Sequence, residues 1–243
     1  MKIGRMMDEE SARLEIKIRS KLGKADGKEL IMTREEVRKN YATYMDYVEK
    51  VLKDADSDIC KWHPFRSRSA HSRRVAKWAE RLCEGREDVD KEVLILAAIF
   101  HDIGQADDDN EPHQTVGERM FRAYAKEQGF EEEFAEKVAV CIGTHSNKQM
   151  LEHPEQLTME QLLLMEADWL DEEGALGVCW DCMASSYQGN LSFYEALERT
   201  KKYHEKRKPN PMVTERARKY WQEKIEFVAE YIRQMEFDLT HFQ

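Results

Sequence analysis

The chain has 243 residues, which is ample for a sizeable hydrophobic core, and we predict one domain with extensions. Its 48 acidic and 38 basic side chains give a net charge of −10, which argues against general nucleic-acid binding but is compatible with a small nucleotide in a metal-lined cleft. No apolar stretch has the length of a membrane span, no signal-peptide block is found, and five cysteines form no dense disulfide framework. These features predict a cytoplasmic protein that does not bind membranes.

The chain is predicted to be overwhelmingly helical. In the first thirty residues, apolar side chains alternate as in a strand, yet a helix is equally compatible, and we assign that segment no function. Thr33 and Glu36 form a predicted capping box for an amphipathic helix that continues through Val37 to Leu52. A helix that packs onto the rest of the domain is therefore expected here.

The next predicted helix carries His71 on its apolar face. His71, Val75, Trp78 and Leu82 follow one another at spacings of four, three and four residues, which keeps them on one side of a helix. His71 is therefore expected to point toward the core.

A strongly apolar run from Val93 leads directly into His101 and Asp102. Leu94, Ala97 and His101 share one helical face, whereas Asp102 points about 100° away around the axis. We predict that this helix is buried, that Gly104 stops it, and that it delivers both polar side chains at its last turn.

Two further predicted helices also carry a metal-type side chain on an apolar segment. Phe134, Val138, Cys141 and His145 repeat the helical spacing, so His145 is expected to be buried at the end of a helix near 146–147. A capping box at Thr158 and Gln161 opens the other helix, in which Asp168 lies among apolar residues. After it, Ser192 with Glu195, and then Thr214, begin two more helices on either side of a break at 206–211.

Each of the four helices that lead to His71, to His101 and Asp102, to His145 and to Asp168 is thus expected to bury an imidazole or a carboxylate. A buried group of this kind requires a partner, and one shared divalent cation can satisfy all of them at once. Mixed nitrogen and oxygen ligands suit Mn, Fe, Co, Ni or Zn better than Ca. A cation in such a site can lower the pKa of a bound water toward neutrality and so provide a hydroxide nucleophile.

The residues at these positions resemble the HD superfamily of metal-dependent phosphohydrolases, whose pattern is a His, a His-Asp doublet and a distant Asp. Here these are His71, His101 with Asp102, and Asp168, and the match covers about residues 65 to 180 in the right order. The chain looks closest to small bacterial HD-domain hydrolases with extra histidines, which correspond here to His113 and His145.

The resemblance implies an all-α HD-domain bundle with additional N- and C-terminal helices. We divide it into an N-terminal helical extension at 1–55, the metal-binding domain at 56–185, and C-terminal helices at 186–243 packed on the same domain. It also implies that His71, His101, Asp102 and Asp168 hold a metal, with Asp102 as the bridge if there are two ions. His113 and His145 are secondary candidates, as ligands of a second metal or as contacts to the substrate.

The expected function is hydrolysis of a small phosphorylated molecule, with a nucleotide favoured, by metal-activated water. The resemblance favours Mn, Mg or Fe as the metal, with Ni, Co or Zn able to occupy the site, and one or two ions per chain. A phosphate needs cationic contacts outside the metal shell, and Arg74 is the first candidate because it lies on a helical turn adjoining His71. Other cations near the ligands in sequence are Arg66, Arg68, Arg73 and Lys148.

Two departures from the family pattern concern the substrate. Many catalytic members carry Lys where this chain has Gln105, and an acidic loop at 107–111 is either a solvated surface or the source of a water-positioning carboxylate. Two other functions remain open. One is a di-iron oxygenase of the same fold, and the other is a non-catalytic module that senses a metal or nucleotide. The sequence specifies neither the substrate nor the oligomeric state.

Overall fold

The computed structural model describes residues 32–107, 111–190 and 192–240. These residues form an all-α fold, as predicted, with ten α-helices and three short 3₁₀ helices. The α-helices are α1 (Arg34–Lys39), α2 (Tyr41–Asp54), α3 (Arg68–Cys83), α4 (Lys91–Phe100), α5 (His113–Gln128), α6 (Glu132–Thr144), α7 (Met159–Asp171), α8 (Ala175–Tyr187), α9 (Phe193–Arg207) and α10 (Glu215–Asp238). The 3₁₀ helices are Ile103–Ala106, Lys148–Glu152 and Pro154–Gln156.

Helix α4 is the centre of the fold. Every residue from Val93 to Phe100 is buried, and α4 packs against α1, α2, α3, α6 and α7. A helix that is apolar on all sides must be covered on all sides, which explains why its neighbours surround it. The polar residues that follow Phe100 are thereby carried to the middle of the bundle.

The helix predicted from Val37 to Leu52 is in fact two helices. Its capping box is confirmed, since the Thr33 side chain accepts from the Glu36 amide and the Glu36 carboxylate accepts from the Thr33 amide. The break lies at Asn40, whose side-chain amide donates to the Glu36 carbonyl at 2.7 Å, while its backbone N–H donates to Val37. An asparagine that competes for a backbone carbonyl in this way interrupts a helical ladder.

The remaining capping predictions are confirmed. Thr158 with Gln161 and Ser192 with Glu195 form complete capping boxes, and the Thr214 side chain caps α10. No helix in the described ranges is both long and apolar enough to cross a membrane. The ambiguous first thirty residues lie outside the described part of the chain.

One hydrophobic core runs through all three predicted ranges. It includes Val48 from α2, Leu96 from α4, and Trp221 from α10, and it extends from Met32 to Ile225. Helix α10 packs on α7, and α9 joins α8 to α10. The boundaries at 55 and 185 themselves remain predictions.

Candidate metal centre

Helix α3 presents His71 to the interior. Ser67 begins the helix by accepting from the Ala70 amide, and His71 follows in the first turn at 1% exposure. Val75 and Leu82, on the same face, are buried as the spacing predicted. His71 Nδ1 lies 2.8 Å from an Asp171 oxygen, which leaves Nε2 facing the other ligand candidates.

Helix α4 ends immediately before the His-Asp doublet. His101 is the C-cap residue of α4, and its Nδ1 donates to the Ala98 carbonyl at 2.8 Å. This bond fixes the ring and leaves Nε2 as the atom available for a cation. Asp102 follows at 5% exposure.

Gly104 does not stop α4, contrary to our prediction. The helix already ends at Phe100, and Gly104 lies inside the 3₁₀ helix Ile103–Ala106. A Cβ on Gly104 would lie 2.0 Å from the His113 carbonyl oxygen and 2.4 Å from the Gly117 amide nitrogen. The turn that follows His101 and Asp102, which we call the doublet turn, therefore approaches the start of α5 closely, and only glycine fits at this position.

His113 and His145 come from the two helices that follow. His113 is the first residue of α5, and His145 is the C-cap of α6, close to the predicted end of that helix. His145 Nδ1 donates to the Ile142 carbonyl at 2.7 Å, which repeats the arrangement of His101. The Nε2 atoms of His113 and His145 lie 3.3 Å apart, and the Ser146 hydroxyl is within 3.1 Å of both.

Helix α7 supplies Asp168 and packs against α3. Asp168 Oδ1 lies 3.0 Å from His71 Nε2 and 3.8 Å from His101 Nε2. The other oxygen accepts from Lys148 at 2.6 Å. Asp168, whose side chain is 17% exposed, therefore faces two histidines and a cation, which pair its carboxylate.

The first four candidates form one compact ligand set. His71 Nε2 and His101 Nε2 are 3.3 Å apart, and the Asp102 carboxylate lies 3.8 Å from His101 Nε2. Ligand atoms bound 2.0–2.2 Å from one ion are separated by about 3–3.5 Å. The spacing and the nitrogen and oxygen donors fit one divalent cation, with small adjustments.

A second set shares Asp102 with the first, and its His145 also has metal-ligand spacing to His101 and Asp168. Asp102 Oδ1 lies 3.4 Å from His113 Nε2 and 3.8 Å from His145 Nε2, and these three residues form a further group with metal-ligand spacing. Since Asp102 belongs to both sets, the geometry can accommodate one ion or two neighbouring ions.

The charges are distributed unequally among the ligand candidates. Burial opposes protonation of His71, but its hydrogen bonds to Asp168 and Asp171 raise its pKa to about 10. Burial lowers the pKa of His101 to about 4. Burial opposes ionisation of Asp102 and Asp168, yet the surrounding imidazoles and, for Asp168, the Lys148 ammonium hold the pKa of each carboxyl well below its usual range. The centre thus combines anionic oxygens with a neutral imidazole.

Sequence reasoning missed Asp171. This carboxylate is 2% exposed on its side chain and accepts from His71 Nδ1 and from Arg74 Nε at 2.9 Å. Arg74 therefore lies behind His71 rather than at the opening of the centre. The spacing of three residues places Asp171 beside Asp168 on α7 and Arg74 beside His71 on α3, but it does not show that these residues pair across the two helices.

Of the other four basic side chains suggested by the sequence, two border the ligand sets and two pair with carboxylates elsewhere. Arg68 lies 4.0 Å from Asp102, and Lys148 contacts Asp168, so both border the ligand sets. Arg66 pairs with Glu172, whereas Arg73 points away toward Asp46 and Glu49. Residues 108–110 of the acidic loop lie outside the described ranges.

The part of the chain that carries the ligand candidates matches a known protein family. Residues 68–173 match the family model described as HD domain. The chain contains an HD domain. This match confirms, over residues 68–173, the resemblance to the HD superfamily seen in the sequence. The four principal ligand candidates all fall inside the matched range.

Solved structures with the HD fold resemble this one. A predicted HD superfamily hydrolase from an uncultured Thermotogales bacterium is 21% identical with a TM-score of 0.58, over 81% of this chain and 94% of that chain. Bacillus subtilis YpgQ in complex with ADP is 24% identical with a TM-score of 0.58, over 84% and 96%. Lin1889 from Listeria innocua is 17% identical with a TM-score of 0.59, over 86% and 100%. At these identities the likeness shows the shared fold. No curated protein matches the chain.

Proposed function

We propose that this HD-domain protein is a metal-dependent phosphohydrolase that acts on a small phosphorylated substrate, specifically a nucleotide. The observation that carries the proposal is a pair of overlapping ligand sets that share Asp102, built from three groups with metal-ligand spacing: His71, His101 and Asp102; His101, His145 and Asp168; and Asp102, His113 and His145. Such a pair is the arrangement expected for one or two divalent cations beside a phosphate. The HD domain match supports the hydrolase class.

Two ligand sets would hold the metal. His71, His101, Asp102 and Asp168 form the principal set, and His113 and His145 complete a second set with Asp102 as the bridge. When bound, a divalent cation supplies a Lewis acid and a water of lowered pKa. Mn, Mg or Fe are the proposed metals, and Ni, Co or Zn also suit these donors.

The protein's own cations complete the site for an anionic substrate. Arg68 and Lys148 have side chains that are 17% and 16% exposed and lie against Asp102 and Asp168. When a bound cation balances those two carboxylates, the guanidinium and the ammonium become available to phosphate oxygens. Lys148 thus offers a positive charge at a centre where Gln105 provides none.

The nucleotide part of the proposal is supported by a neighbour. YpgQ, which shares this fold, is known in complex with ADP. The net charge of −10 supports a small-molecule substrate rather than nucleic acid, and we propose a cytoplasmic location on the same composition. An excess of acidic side chains weakens nonspecific binding to polyanions.

The test begins with protein purified without chelator. Bound metal per chain is measured by elemental analysis, and phosphate or pyrophosphate release is measured on a panel of nucleotides and phosphate esters. His101→Ala and Asp102→Ala are compared with the control His153→Ala, whose side chain is 65% exposed. We expect stoichiometric metal and hydrolysis in the wild type and the control, and loss of both in the other two variants.

The outcomes separate the alternative functions. Metal with iron-dependent O₂ consumption and no phosphate release would establish the oxygenase. Metal and a nucleotide-induced thermal shift without any turnover would establish the sensing module. A folded protein that binds no metal would overturn the metal centre itself.

A further inference from the structure

A cluster of aromatic and cationic side chains lies where the loop 58–67 meets α8. The Trp180 ring centroid is 5.2 Å from that of His63 and 5.7 Å from that of Phe65. The Arg66 guanidinium carbon lies 4.9 Å from the Trp180 centroid. We call these four residues the aromatic subsite.

Two arginines, Arg66 and Arg68, lie between the aromatic subsite and the metal centre along the chain. Arg66 forms an ion pair with Glu172, which directly follows Asp171, the carboxylate that binds His71. Two residues after Arg66, the Arg68 guanidinium reaches to 4.0 Å from Asp102. Arg66 contacts the ring cluster and Arg68 borders the ligand sets, so the two arginines offer positive charge to one anionic ligand that spans both places.

The loop that carries the subsite is held in place by its own hydrogen bonds. Asp58, which is 6% exposed, accepts from the Ser69 amide at 2.8 Å and from the Ser67 hydroxyl at 3.0 Å. Within the loop, the Arg66 amide donates to the His63 carbonyl at 2.8 Å. The rings are thus positioned before any ligand arrives, which lowers the entropy cost of binding.

Two observations indicate that a ligand belongs there. His63 Nδ1 is buried and has no hydrogen-bond partner among the described residues, and an orphaned buried polar atom is costly. In addition, the Arg66 side chain is 21% exposed and Trp180 is only partly buried, so the subsite opens to solvent. A flat heterocycle with polar edges matches both features.

We propose that the aromatic subsite binds the base of a nucleotide whose phosphates lie at the metal centre. Bases stack on aromatic rings and on guanidinium planes, and Phe65, Trp180 and Arg66 supply both kinds of surface here. The adjacent Arg66 and Arg68 match the negative charge of the phosphates. An aromatic anion uses both halves of this surface. The inference rests on the proposed nucleotide substrate.

The test compares a ligand that has a base with one that lacks it. Binding of ADP and of inorganic pyrophosphate to the Mn-loaded protein is measured by titration calorimetry for the wild type, Trp180→Ala and Trp62→Ala. Trp62 is the matched control because it lies in the same loop at 81% exposure. We expect Trp180→Ala to weaken ADP about 10- to 100-fold and to leave pyrophosphate within about twofold, and Trp62→Ala to change neither.

A second measurement covers the case in which Trp180→Ala does not fold. ADP is expected to quench tryptophan emission in the wild type but much less in Trp180→Phe, which keeps a stacking ring and binds ADP within a few-fold. Equal losses for ADP and pyrophosphate in Trp180→Ala would show that the cluster only supports the fold and would overturn the proposal. Unchanged ADP binding, or no ADP binding in the wild type, would also overturn it.

These readouts do not depend on turnover. If the chain hydrolyses no phosphate ester yet binds ADP through Trp180, the proposed hydrolase fails while the aromatic subsite stands. If it hydrolyses base-free esters and nucleotides equally well and Trp180→Ala has no effect, the reverse holds.

Discussion

Asp171 determines how His71 is presented to a cation. Its carboxylate accepts from His71 Nδ1 and is itself paired with Arg74. Partners behind a ligating histidine orient the ring and raise its basicity, and their loss costs about 10- to 100-fold in metal affinity or activity. We expect Asp171→Asn to weaken metal binding within this range, measured by competition with a chromophoric chelator.

The control for this change is Asp46→Asn. Asp46 also accepts from an arginine, Arg73, but its side chain is 66% exposed and it belongs to neither ligand set. Metal affinity should be unchanged in this variant. A similar loss in Asp46→Asn and Asp171→Asn would contradict the positioning role.

Arg74 can be tested by a double-mutant cycle with Asp171. If Arg74 acts through Asp171, then Arg74→Ala and Asp171→Asn should each lower kcat/KM, and the double variant should be little worse than Asp171→Asn. Additive losses would instead restore Arg74 as a direct phosphate contact, as the sequence suggested. Arg73→Ala, on the same helix, is the matched control.

Metal binding should depend on pH through His71. Its pKa of about 10 in the metal-free protein, against an ordinary value of 6.5, means that the proton on His71 is bound more tightly in the folded state. This proton stabilises the metal-free fold fully below pH 6.5, and the stabilisation is lost as the pH rises through about 10. A cation at His71 Nε2 must displace it, so affinity should rise about tenfold per pH unit on the alkaline side of neutrality.

The measurement is calorimetry near pH 8 in buffers of different ionisation enthalpy. We expect about one proton to be released per principal metal site. His101, whose pKa is lowered to about 4, contributes none there. Release of no proton would contradict the assignment of His71 as a protonated residue that becomes a ligand.

The residues that face the metal centre could be predicted from the sequence, but the residues that orient them, such as Asp171, could not. Periodicity placed His71, His101 and His145 on inward faces because a histidine on an apolar stripe must follow that stripe. The pairing of Asp171 with His71 joins residues a hundred positions apart, and it depends on the packing of α7 against α3. Helical spacing within one segment carries no information about such a contact.

At the scale of elements, Gly104 joins the doublet turn to α5. An alanine Cβ there would lie 2.0 Å from the backbone oxygen of His113, which cannot move without moving the helix. We expect Gly104→Ala to destabilise the protein by about 1–3 kcal/mol or more and to weaken the second ligand set, measured by denaturant unfolding and metal stoichiometry.

Gly143→Ala is the control for that change. A Cβ at Gly143 would meet the flexible end of the Glu118 side chain at 2.1 Å, which can rotate away, and alanine favours the helix interior of α6. Gly143→Ala should therefore be neutral or slightly stabilising. Equal stability in the two variants would show that the turn and α5 are not closely packed.

The helices themselves were largely predictable because capping boxes and apolar stripes are local signals. The break at Asn40 was not, since it depends on a side-chain amide that takes the Glu36 carbonyl from the backbone. Gly104 was assigned the usual role of a glycine at a helix end. Its actual role is set by another helix, and no local pattern shows that.

At the scale of the whole molecule, metal should add stability without creating the fold. The core around α4 is built from apolar side chains, so we expect chelator-treated protein to keep its helical circular dichroism. Manganese at a hundred times its Kd should raise Tm by about 5 to 10 °C. The shift should persist in His153→Ala and disappear in His101→Ala, whereas a chain that unfolds on chelation would contradict this expectation.

Helices α4 and α6 both terminate at the metal centre, with His101 and His145 as their C-cap residues. The carboxyl end of a helix carries a partial negative charge from its aligned peptide dipoles. Two macrodipoles therefore add their fields to those of Asp102 and Asp168, and the backbone itself attracts cations and repels anions. The order of binding follows: metal must enter before phosphate, and the metal-free protein should have almost no affinity for pyrophosphate.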